Sequence, residues 1–382
     1  MNIDMHSIWE SRSFHRSPQI VVIGGGIVGL FTALFVKRQD RQRHVIVLEK
    51  GQFPSGASVK NAGFACFGSP SELIADINAE GMDAAMARVE MRWTGLKDLR
   101  QELGDGILDY RSNGGHEIFT TDDPLCTEVE KRFEEVNTEL ARIIGSEVYR
   151  WEDTMIEKCG FKNVAHLART EHEGSLNSGA MMSGSLQKVI AEGVQFRSNT
   201  RVIGIEERSE NVKILCDGKE ELIADQVVIA TNGYTRDLLP DLDVVPGRGQ
   251  VILTSPIADL KIKGNFHYGQ GYYYFRDLDG AILFGGGRDL DLAGEATSEE
   301  GLTPQIQNEL ERLLREMILP GKQFTIEKRW SGIMGFGSRS KTPLVERYSD
   351  RITTAVRLGG MGVAIGINVA RRAASLLNEQ AR

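Results

Sequence analysis

Apolar runs and glycine-rich turns alternate near the start of the chain. Residues 20–23 form a short apolar run that leads directly into the turn G-G-G-I-V-G at 24–29, and a helix-like segment then continues to about Lys37. A second apolar run at 44–48 ends in Glu49. This order of apolar and polar positions predicts a strand, a tight turn, a helix and a second strand.

A long helix is predicted after residue 69. Ser69 offers an N-cap, Pro70 suits the first helical position, and Glu72 supplies the acid of a capping box. Apolar residues then recur at helical spacing through about residue 103. Further helices are predicted at 126–145, at 184–192, at 306–317, and from the glycine turn at 358–362 through Leu377.

Strand-like runs separated by turn residues fill the second half of the chain. The predicted strands lie at 194–196, 201–205, 212–216, 222–224, 226–234, 272–275, 281–284 and 352–356. We expect the first four to form a small antiparallel meander with Asp217-Gly218 as one turn. A second hairpin is expected at Asp279-Gly280.

The first turn has the spacing of a dinucleotide site. In a G-x-G-x-x-G turn, Gly24 lets the strand turn tightly, Gly26 lets the backbone approach a pyrophosphate, and Gly29 lets helix and strand pack closely. The helix that follows offers free N–H groups and its positive dipole end to phosphates. Glu49, about 20 residues further on, would accept hydrogen bonds from ribose hydroxyls. The complete arrangement favours this interpretation over a glycine-rich turn without a ligand.

Length and charge narrow the function classes. The chain has 382 residues, and because single cores stop growing near about 250–300 residues, we expect two domains. The formal net charge of −8 gives no electrostatic footprint for nucleic acid. Three consecutive glycines interrupt the apolar segment at 20–36, so we expect a cytoplasmic protein with no membrane span.

Cysteine usage predicts no metal site and no disulfide framework. The four cysteines are scattered, with no C-x-x-C and no metal-ligand spacing. Such a pattern is typical of free thiols in a reducing compartment.

Several sequence blocks, taken in order, resemble one family. They are the turn at 24–29 with Glu49, G-A-S-x-x-N-A-G at 56–63, V-I-A-T-N-G-Y-T at 228–235 with P-G-R-G-Q at 246–250, Y-Y-Y-F-R at 272–276 with G-G-G-R at 285–288, and W-S-G at 330–332 with G-G-M-G-V at 359–363. The chain resembles the FAD-dependent amine and amino-acid oxidoreductases of the D-amino-acid oxidase superfamily, which includes glycine and sarcosine oxidase. Its blocks look most like the gamma-glutamylputrescine oxidase-like branch, and the resemblance covers nearly the whole chain.

The resemblance implies a fold class and a division into domains. The class is α/β, or α+β overall, with a Rossmann-like FAD-binding domain and a discontinuous substrate domain built on an antiparallel sheet. On this basis the FAD-binding domain comprises 1–75, 175–240 and 328–382, and the substrate domain comprises 76–174 and 241–327.

The resemblance also implies which residues contact the cofactor. They are Gly24, Gly26, Ile27, Val28, Gly29, Glu49, Lys50, Ala57, Ser58, Asn61, Ala62, Gly63, Phe64, Val202, Ala230, Thr231, Gly233, Gly332, Gly360, Met361, Gly362, Val363 and Ala364. We expect non-covalent FAD, because no cysteine lies in the C-terminal block where sarcosine oxidase-type enzymes tether their flavin.

The substrate end departs from the family pattern. Glycine oxidase-like enzymes carry an arginine soon after W-x-G, where it holds the substrate carboxylate, and here Met334 stands in that place. The expected substrate is therefore an amine, an N-substituted amine, or an amino acid whose carboxylate is held elsewhere. Candidates for holding it are Arg276, Arg288 and Arg339.

The family resemblance also indicates a substrate pocket, although it identifies no firm catalytic residue. Tyr272 and Tyr274 alternate along one strand and so share a face. The expected pocket residues are Tyr272, Tyr274, His267, Met334 and Lys341.

Three functions stay open at this point. The favoured one is an oxidase that takes a hydride from the carbon beside an amine nitrogen, leaves an imine for hydrolysis, and reduces oxygen to hydrogen peroxide. The others are a dehydrogenase that uses a quinone or a protein as acceptor, and a flavin-binding module without turnover. Oxygen reactivity depends on local charge and access, which the sequence does not contain.

Overall fold

The computed structural model describes residues 5, 7–13, 16–121 and 123–378. Its helices are α1 (Ile8–Ser13), α2 (Ile27–Gln39), α3 (Ala57–Lys60), α4 (Pro70–Glu80), α5 (Met82–Leu103), α6 (Asp105–Leu108), α7 (Pro124–Ile144), α8 (Thr154–Cys159), α9 (Ser178–Ala191), α10 (Pro304–Leu313) and α11 (Gly362–Asn378). Its strands are β1 (Ile20–Ile23), β2 (Val45–Leu48), β3 (Phe64–Ala65), β4 (Gly115–Thr120), β5 (Arg150–Trp151), β6 (Val164–Thr170), β7 (Gly174–Ser175), β8 (Gln195–Arg197), β9 (Val202–Glu207), β10 (Val212–Cys216), β11 (Glu221–Ala224), β12 (Gln226–Ile229), β13 (Val245–Thr254), β14 (Asn265–Tyr268), β15 (Tyr273–Leu278), β16 (Ala281–Gly286), β17 (Ile326–Phe336), β18 (Leu344–Arg347) and β19 (Ile352–Val356).

Sheet A has the strand order β18-β19-β12-β1-β2-β8. Its pairs are parallel except for β18 with β19. Strands β1 and β2 are buried along their whole length, as parallel strands covered on both faces must be. Helices α2, α9 and α11 cover one face, where Phe31, Met181 and Ile365 share a core, and the antiparallel strands β9 to β11 cover the other.

The predicted meander is confirmed for three of its four strands. Strands β9, β10 and β11 pair antiparallel as expected. The prediction was wrong for 194–196, because β8 pairs in parallel with β2 and extends sheet A. Helix α9 begins earlier than predicted, at Ser178 after the N-cap Asn177, and returns the chain to the edge of that sheet.

The single helix predicted through residue 103 is two helices. Helix α4 ends at Glu80 and α5 begins at Met82. Gly81 between them has a φ of 88° and a ψ of 162°, which no other residue type adopts readily. The predicted capping box is also absent at Ser69. Its hydroxyl donates to Glu117 at 3.0 Å, while Glu72 accepts from Arg92.

Sheet B has the strand order β17-β13-β16-β15-β14-β4-β6-β5. The predicted hairpin is confirmed as β15 and β16. One face packs on α10 through a core that contains Phe266, Phe275 and Phe284. Strand β17 lies in this sheet, although most of its residues fall in the segment 328–382 that is predicted for the FAD-binding domain. The domain boundaries stay a prediction.

Helix α5 connects the two halves of the molecule. Its N-terminal part, with Met86 and Val89, packs in one core with α7, and its C-terminal part, with Leu96 and Leu99, packs in the core under sheet A. No helix in the described ranges has the length and hydropathy needed to span a membrane.

Candidate active site

Two glycines shape the turn between β1 and α2. Gly24 has a φ of 111°, and a Cβ there would lie 2.7 Å from the carbonyl oxygen of Ala230. A Cβ on Gly29 would lie only 1.9 Å from the carbonyl oxygen of Gly24. Only glycine therefore lets α2 begin this close to the carboxyl ends of the parallel strands, which is where ligands bind in open α/β sheets.

Glu49 lies at the tip of β2 and is 5 % exposed. Its Oε2 accepts from the N–H of Gly25 at 2.9 Å, and its Oε1 accepts from the N–H of Gly51 at 2.9 Å and the hydroxyl of Ser55 at 2.8 Å. These bonds fix the carboxylate against the glycine turn. Neither Gly25 nor Ser55 was indicated by the sequence, because each acts through Glu49.

Helix α3 is fastened to the start of α2. The Ser58 hydroxyl accepts from the N–H of Ile27 at 3.1 Å. Asn61 donates to the carbonyl of Ser58 at 2.8 Å, while its Oδ1 accepts from the N–H of Gly63 at 2.9 Å and the hydroxyl of Ser178 at 2.6 Å. These hydrogen bonds attach the G-A-S-x-x-N-A-G block beside the glycine turn.

Lys50 and Tyr234 face each other near Glu49. The Lys50 ammonium lies 3.3 Å from the centroid of the Tyr234 ring. Burial lowers the pKa of Lys50, and Glu49 partly offsets that effect. This contact encloses one side of the opening above β2.

Two cavities, of about 180 and 370 Å³, meet at the N-terminus of α11 and share wall residues that include Ala57, Asn61, Met334 and Gly360. Predicted cofactor residues that line the first cavity are Gly24, Gly26, Ile27, Val28, Glu49, Lys50, Ala57, Ser58, Asn61, Val202, Ala230, Thr231, Gly360, Gly362 and Val363. Those that line the second are Ala57, Asn61, Ala62, Phe64, Gly332, Gly360, Met361, Val363 and Ala364. Gly29, Gly63 and Gly233 line neither and serve close backbone packing.

All five predicted substrate residues line the second cavity. His267 is 7 % exposed, its ring packs edge-on against Phe64 at 5.2 Å, and its Nε2 is buried without a hydrogen-bond partner in the described part of the chain. Burial lowers the pKa of His267 to about 4, although Glu72 opposes the shift. At neutral pH this histidine is therefore an uncharged imidazole beside the cavity.

Tyr274 forms another part of the wall. Its ring packs edge-on against Phe64, with centroids 5.7 Å apart, and burial raises the pKa of its hydroxyl to about 12. Tyr274 is thus a neutral hydrogen-bonding group, and the sulfur-bearing chain of Met334 lies on the same wall.

A buried ion pair that the sequence did not indicate also reaches this cavity. Arg92 donates to Glu72 at 2.7 Å and to the carbonyl of Phe67 at 2.8 Å. Burial alone would raise the pKa of Glu72, but Arg92 and Lys341 overcome it and lower the pKa to about 2. Lys341 itself pairs with Asp76.

The three candidate arginines lie in different places. The Arg288 guanidinium lines the second cavity, lies 4.1 Å from the centroid of the Phe336 ring, and pairs with no carboxylate among the described residues. Burial lowers the pKa of Arg288. Arg276 is buried and donates to the carbonyl of Gly63 at 3.2 Å, and Arg339 lines neither cavity.

A sequence profile of the family described as FAD dependent oxidoreductase matches residues 19–376. The chain belongs to this family. The expected superfamily and FAD as the cofactor are thereby confirmed, whereas non-covalent attachment and the gamma-glutamylputrescine oxidase-like branch stay predictions. No curated protein matches the chain.

Solved structures share the fold of this FAD-dependent oxidoreductase. Glycine oxidase from Geobacillus kaustophilus has 17% identity and a TM-score of 0.75, with 95% of each chain covered. L-proline dehydrogenase from P. horikoshii has 18% identity and a TM-score of 0.74, with 95% of this chain and 94% of that chain covered. L-amino acid deaminase from Proteus vulgaris, with its specific insertion sequence deleted, has 19% identity and a TM-score of 0.72, with 96% and 91% covered.

The joined cavities fit FAD. A Cβ on Gly56 or Gly360 would meet nothing within 4 Å, so the backbone at both places faces open space. Both residues line the first cavity, which also contains the Glu49 carboxylate and the first turn of α2. A phosphate-bearing half and a ring-bearing half of one elongated ligand can therefore occupy the two cavities together.

Proposed function

We propose that this FAD-dependent oxidoreductase oxidises the C–N bond of a small amine or amino acid and uses oxygen as acceptor, with hydrogen peroxide as product. The observation that carries the proposal is the junction of the two cavities at Met334 and Gly360. The names of the similar structures, glycine oxidase, L-proline dehydrogenase and L-amino acid deaminase, support an amino acid or amine as substrate. Bound FAD supplies the acceptor for a hydride from the carbon beside the substrate nitrogen, which leaves an imine for water to hydrolyse.

The chain's own residues would hold the cofactor at both ends. The N–H groups at Gly26 and Val28 would bind the pyrophosphate, since the N–H of Ile27 already donates to Ser58, and Glu49 would accept from the ribose. Val202 would pack on the adenine. The backbone from Gly360 to Ala364 would place the N-terminus of α11 at the flavin, where its dipole stabilises negative charge.

The second cavity would orient the substrate. His267 is uncharged at neutral pH and its Nε2 lacks a protein partner, so it can accept a hydrogen bond from the substrate nitrogen. Tyr272 and Tyr274 would line the carbon skeleton. Arg288 would hold a carboxylate in place of the arginine that Met334 replaces, because its guanidinium lies over the Phe336 ring and has no carboxylate partner among the described residues.

Charge near the second cavity supports oxygen as the acceptor. Reduction of oxygen develops negative charge, which nearby cations stabilise. Lys341 and Arg92 line this cavity, and each is held by a carboxylate. A fixed cation at this wall would favour oxygen.

Anaerobic bleaching of the bound flavin tests the reaction class. We expect one of a panel of polyamines, N-methylated amino acids and D-amino acids to bleach the flavin under nitrogen, and air to restore the colour with uptake of oxygen. No bleaching by any member would contradict amine oxidation. Bleaching without oxygen uptake, while an artificial acceptor is reduced, would show a dehydrogenase.

Replacement of Arg288 tests the carboxylate site. In Arg288→Met, KM for amino-acid substrates should rise about tenfold or more, because a charge-assisted hydrogen bond is worth about 1.5–3 kcal/mol. KM for amines without a carboxylate should stay the same. Arg339→Met is the matched control, since Arg339 lines neither cavity. Equal KM values for amino acids in Arg288→Met and the wild type would rule out this role.

A further inference from the structure

Three side chains of metal-ligand type meet between α7 and β6, outside both cavities. Cys126 and Glu130 are one helical turn apart on α7, and His166 lies on β6. The Cys126 sulfur, a Glu130 carboxylate oxygen and a His166 ring nitrogen all lie within 4.8 Å of one another. Within this group, His166 Nε2 lies 3.8 Å from Glu130 Oε1.

A fourth residue fixes the histidine. Asp153 Oδ2 lies 3.0 Å from His166 Nδ1, and Asp153 Oδ1 accepts from the N–H of Leu167 at 2.9 Å. The His166 ring also packs edge-on against Trp151, with centroids 5.8 Å apart. With its Nδ1–H donated to Asp153, the imidazole presents the Nε2 lone pair toward Glu130. This carboxylate–histidine pairing is the usual support of a metal-bound histidine.

Exposure and charge around the three groups suit a cation. The Cys126 side chain is buried, whereas the His166 and Glu130 side chains are 41% and 50% exposed. An ion can therefore enter from solvent, and a water can complete its coordination. The carboxylates of Glu130, Asp123 and Asp153 lie near the Cys126 thiol, so the local field is negative. Binding of a metal would release the thiol proton.

The donor set selects the type of metal. Thiolate and imidazole ligands suit zinc, whereas calcium and magnesium take oxygen ligands. Zinc–ligand bonds of about 2.0–2.3 Å bring ligand atoms closer together than 4.8 Å. The half-exposed Glu130 side chain would turn inward to close the set, while α7 and β6 hold the other two ligands in place.

We propose that Cys126, Glu130 and His166 bind a zinc ion, with Asp153 as the residue that orients His166. The ion joins α7 to β6, two elements that already share a core through Cys126 and Ala168. Its role is to stabilise this part of the fold, and it is independent of the oxidation proposed above. The sequence did not indicate the site because His166 is far along the chain from the pair on α7.

Cobalt(II) is the spectroscopic probe for this site. Chelator-treated protein that retains its FAD is titrated with Co²⁺, and the difference spectrum is followed for the thiolate-to-cobalt charge-transfer band. We expect the band to saturate at one ion per chain, Zn²⁺ to displace it, and Zn²⁺ to raise the Tm. No band at excess Co²⁺ in the wild type would overturn the proposal.

Matched variants locate the ion. Cys126→Ser should abolish the band, whereas Cys159→Ser, which changes a partly buried free cysteine outside the site, should keep it. Asp153→Asn should weaken Co²⁺ binding about 10–100-fold, as loss of a supporting residue does. If Cys126→Ser does not fold, His166→Gln is used in its place, because the His166 side chain is partly exposed. Flavin content then checks that the variant is folded. A band that Cys126→Ser or His166→Gln leaves unchanged would place the ion elsewhere and overturn the assignment.

Discussion

Local surroundings decide the chemistry of single carboxylates in the interior. Glu72 is largely buried, yet Arg92 and Lys341 lower its pKa to about 2. Glu173 is also buried, and there burial outweighs a hydrogen bond from the N–H of Phe67 and raises the pKa to about 8. The same residue type is thus a permanent anion at one position and a carboxylic acid at neutral pH at the other.

At the same scale, Gly29→Ala tests the first turn. The added methyl would meet the Gly24 carbonyl at 1.9 Å and force α2 away from β1. Overpacking of this kind costs about 1–3 kcal/mol, so FAD should bind about tenfold weaker or worse. The measurement is flavin retained after dialysis, together with the FAD dissociation constant. Gly106→Ala is the control, since a Cβ there meets nothing within 4 Å; equal flavin retention in both variants would contradict the argument.

At the scale of elements, the pattern of apolar positions predicted which helices and strands occur better than it predicted where they begin and end. The hairpin β15–β16 follows from strand-forming residues on either side of Asp279-Gly280, which is a local signal. The break between α4 and α5 does not follow from a local signal, because the apolar spacing continues across Gly81. The assignment of β8 to sheet A also depends on a distant partner, β2.

Gly81→Ala tests the break between the helices. Its φ of 88° and ψ of 162° lie in a region that is essentially confined to glycine, so alanine should lower the free energy of unfolding by about 1–3 kcal/mol. Gly179→Ala in α9 serves as the comparison. A Cβ there makes only an ordinary contact at 3.4 Å, and alanine in a helix should stabilise by up to about 1 kcal/mol. Thermal unfolding of both variants with FAD bound gives the answer; a Gly81→Ala Tm equal to or above the wild type would contradict it.

At the scale of the whole molecule, the site exists only because distant segments meet. The second cavity combines Glu72 of α4, Arg92 of α5, His267 of β14 and Met334 of β17 with the first turn of α11. Family motifs indicated the β17 and α11 contributions, and His267 of β14 was a separate candidate. They did not indicate Glu72 or Arg92, whose roles depend on how α4 and α5 pack.

The stability of the molecule should depend on the buried acid Glu173. Its pKa is about 8 in the native state and 4.5 ordinarily, so the native state holds a proton that the unfolded chain releases between these pH values. This contribution is complete below pH 4.5 and is lost as pH rises through 8, at up to about 1.4 kcal/mol per pH unit. The Tm of the wild type should therefore fall relative to Glu173→Gln between pH 5 and 8.

The glutamine can still accept from the N–H of Phe67, so the two proteins differ in the titratable proton and not in this hydrogen bond. Glu134→Gln, at an exposed position, should follow the wild type. Parallel pH curves for the wild type and Glu173→Gln would show that Glu173 does not hold the extra proton.

The sequence by itself determined the cofactor end of this protein. The turn at 24–29 and Glu49 belong to one local strand-turn-helix-strand unit of a few tens of residues. The spacing of its glycines and its acid is therefore visible in the sequence. Only the tertiary structure decided which polar side chains meet: Arg92 with Glu72, Lys341 with Asp76, and His166 with Cys126. These side chains lie on different elements, and since their approach depends on packing between elements, no local pattern in the chain records it.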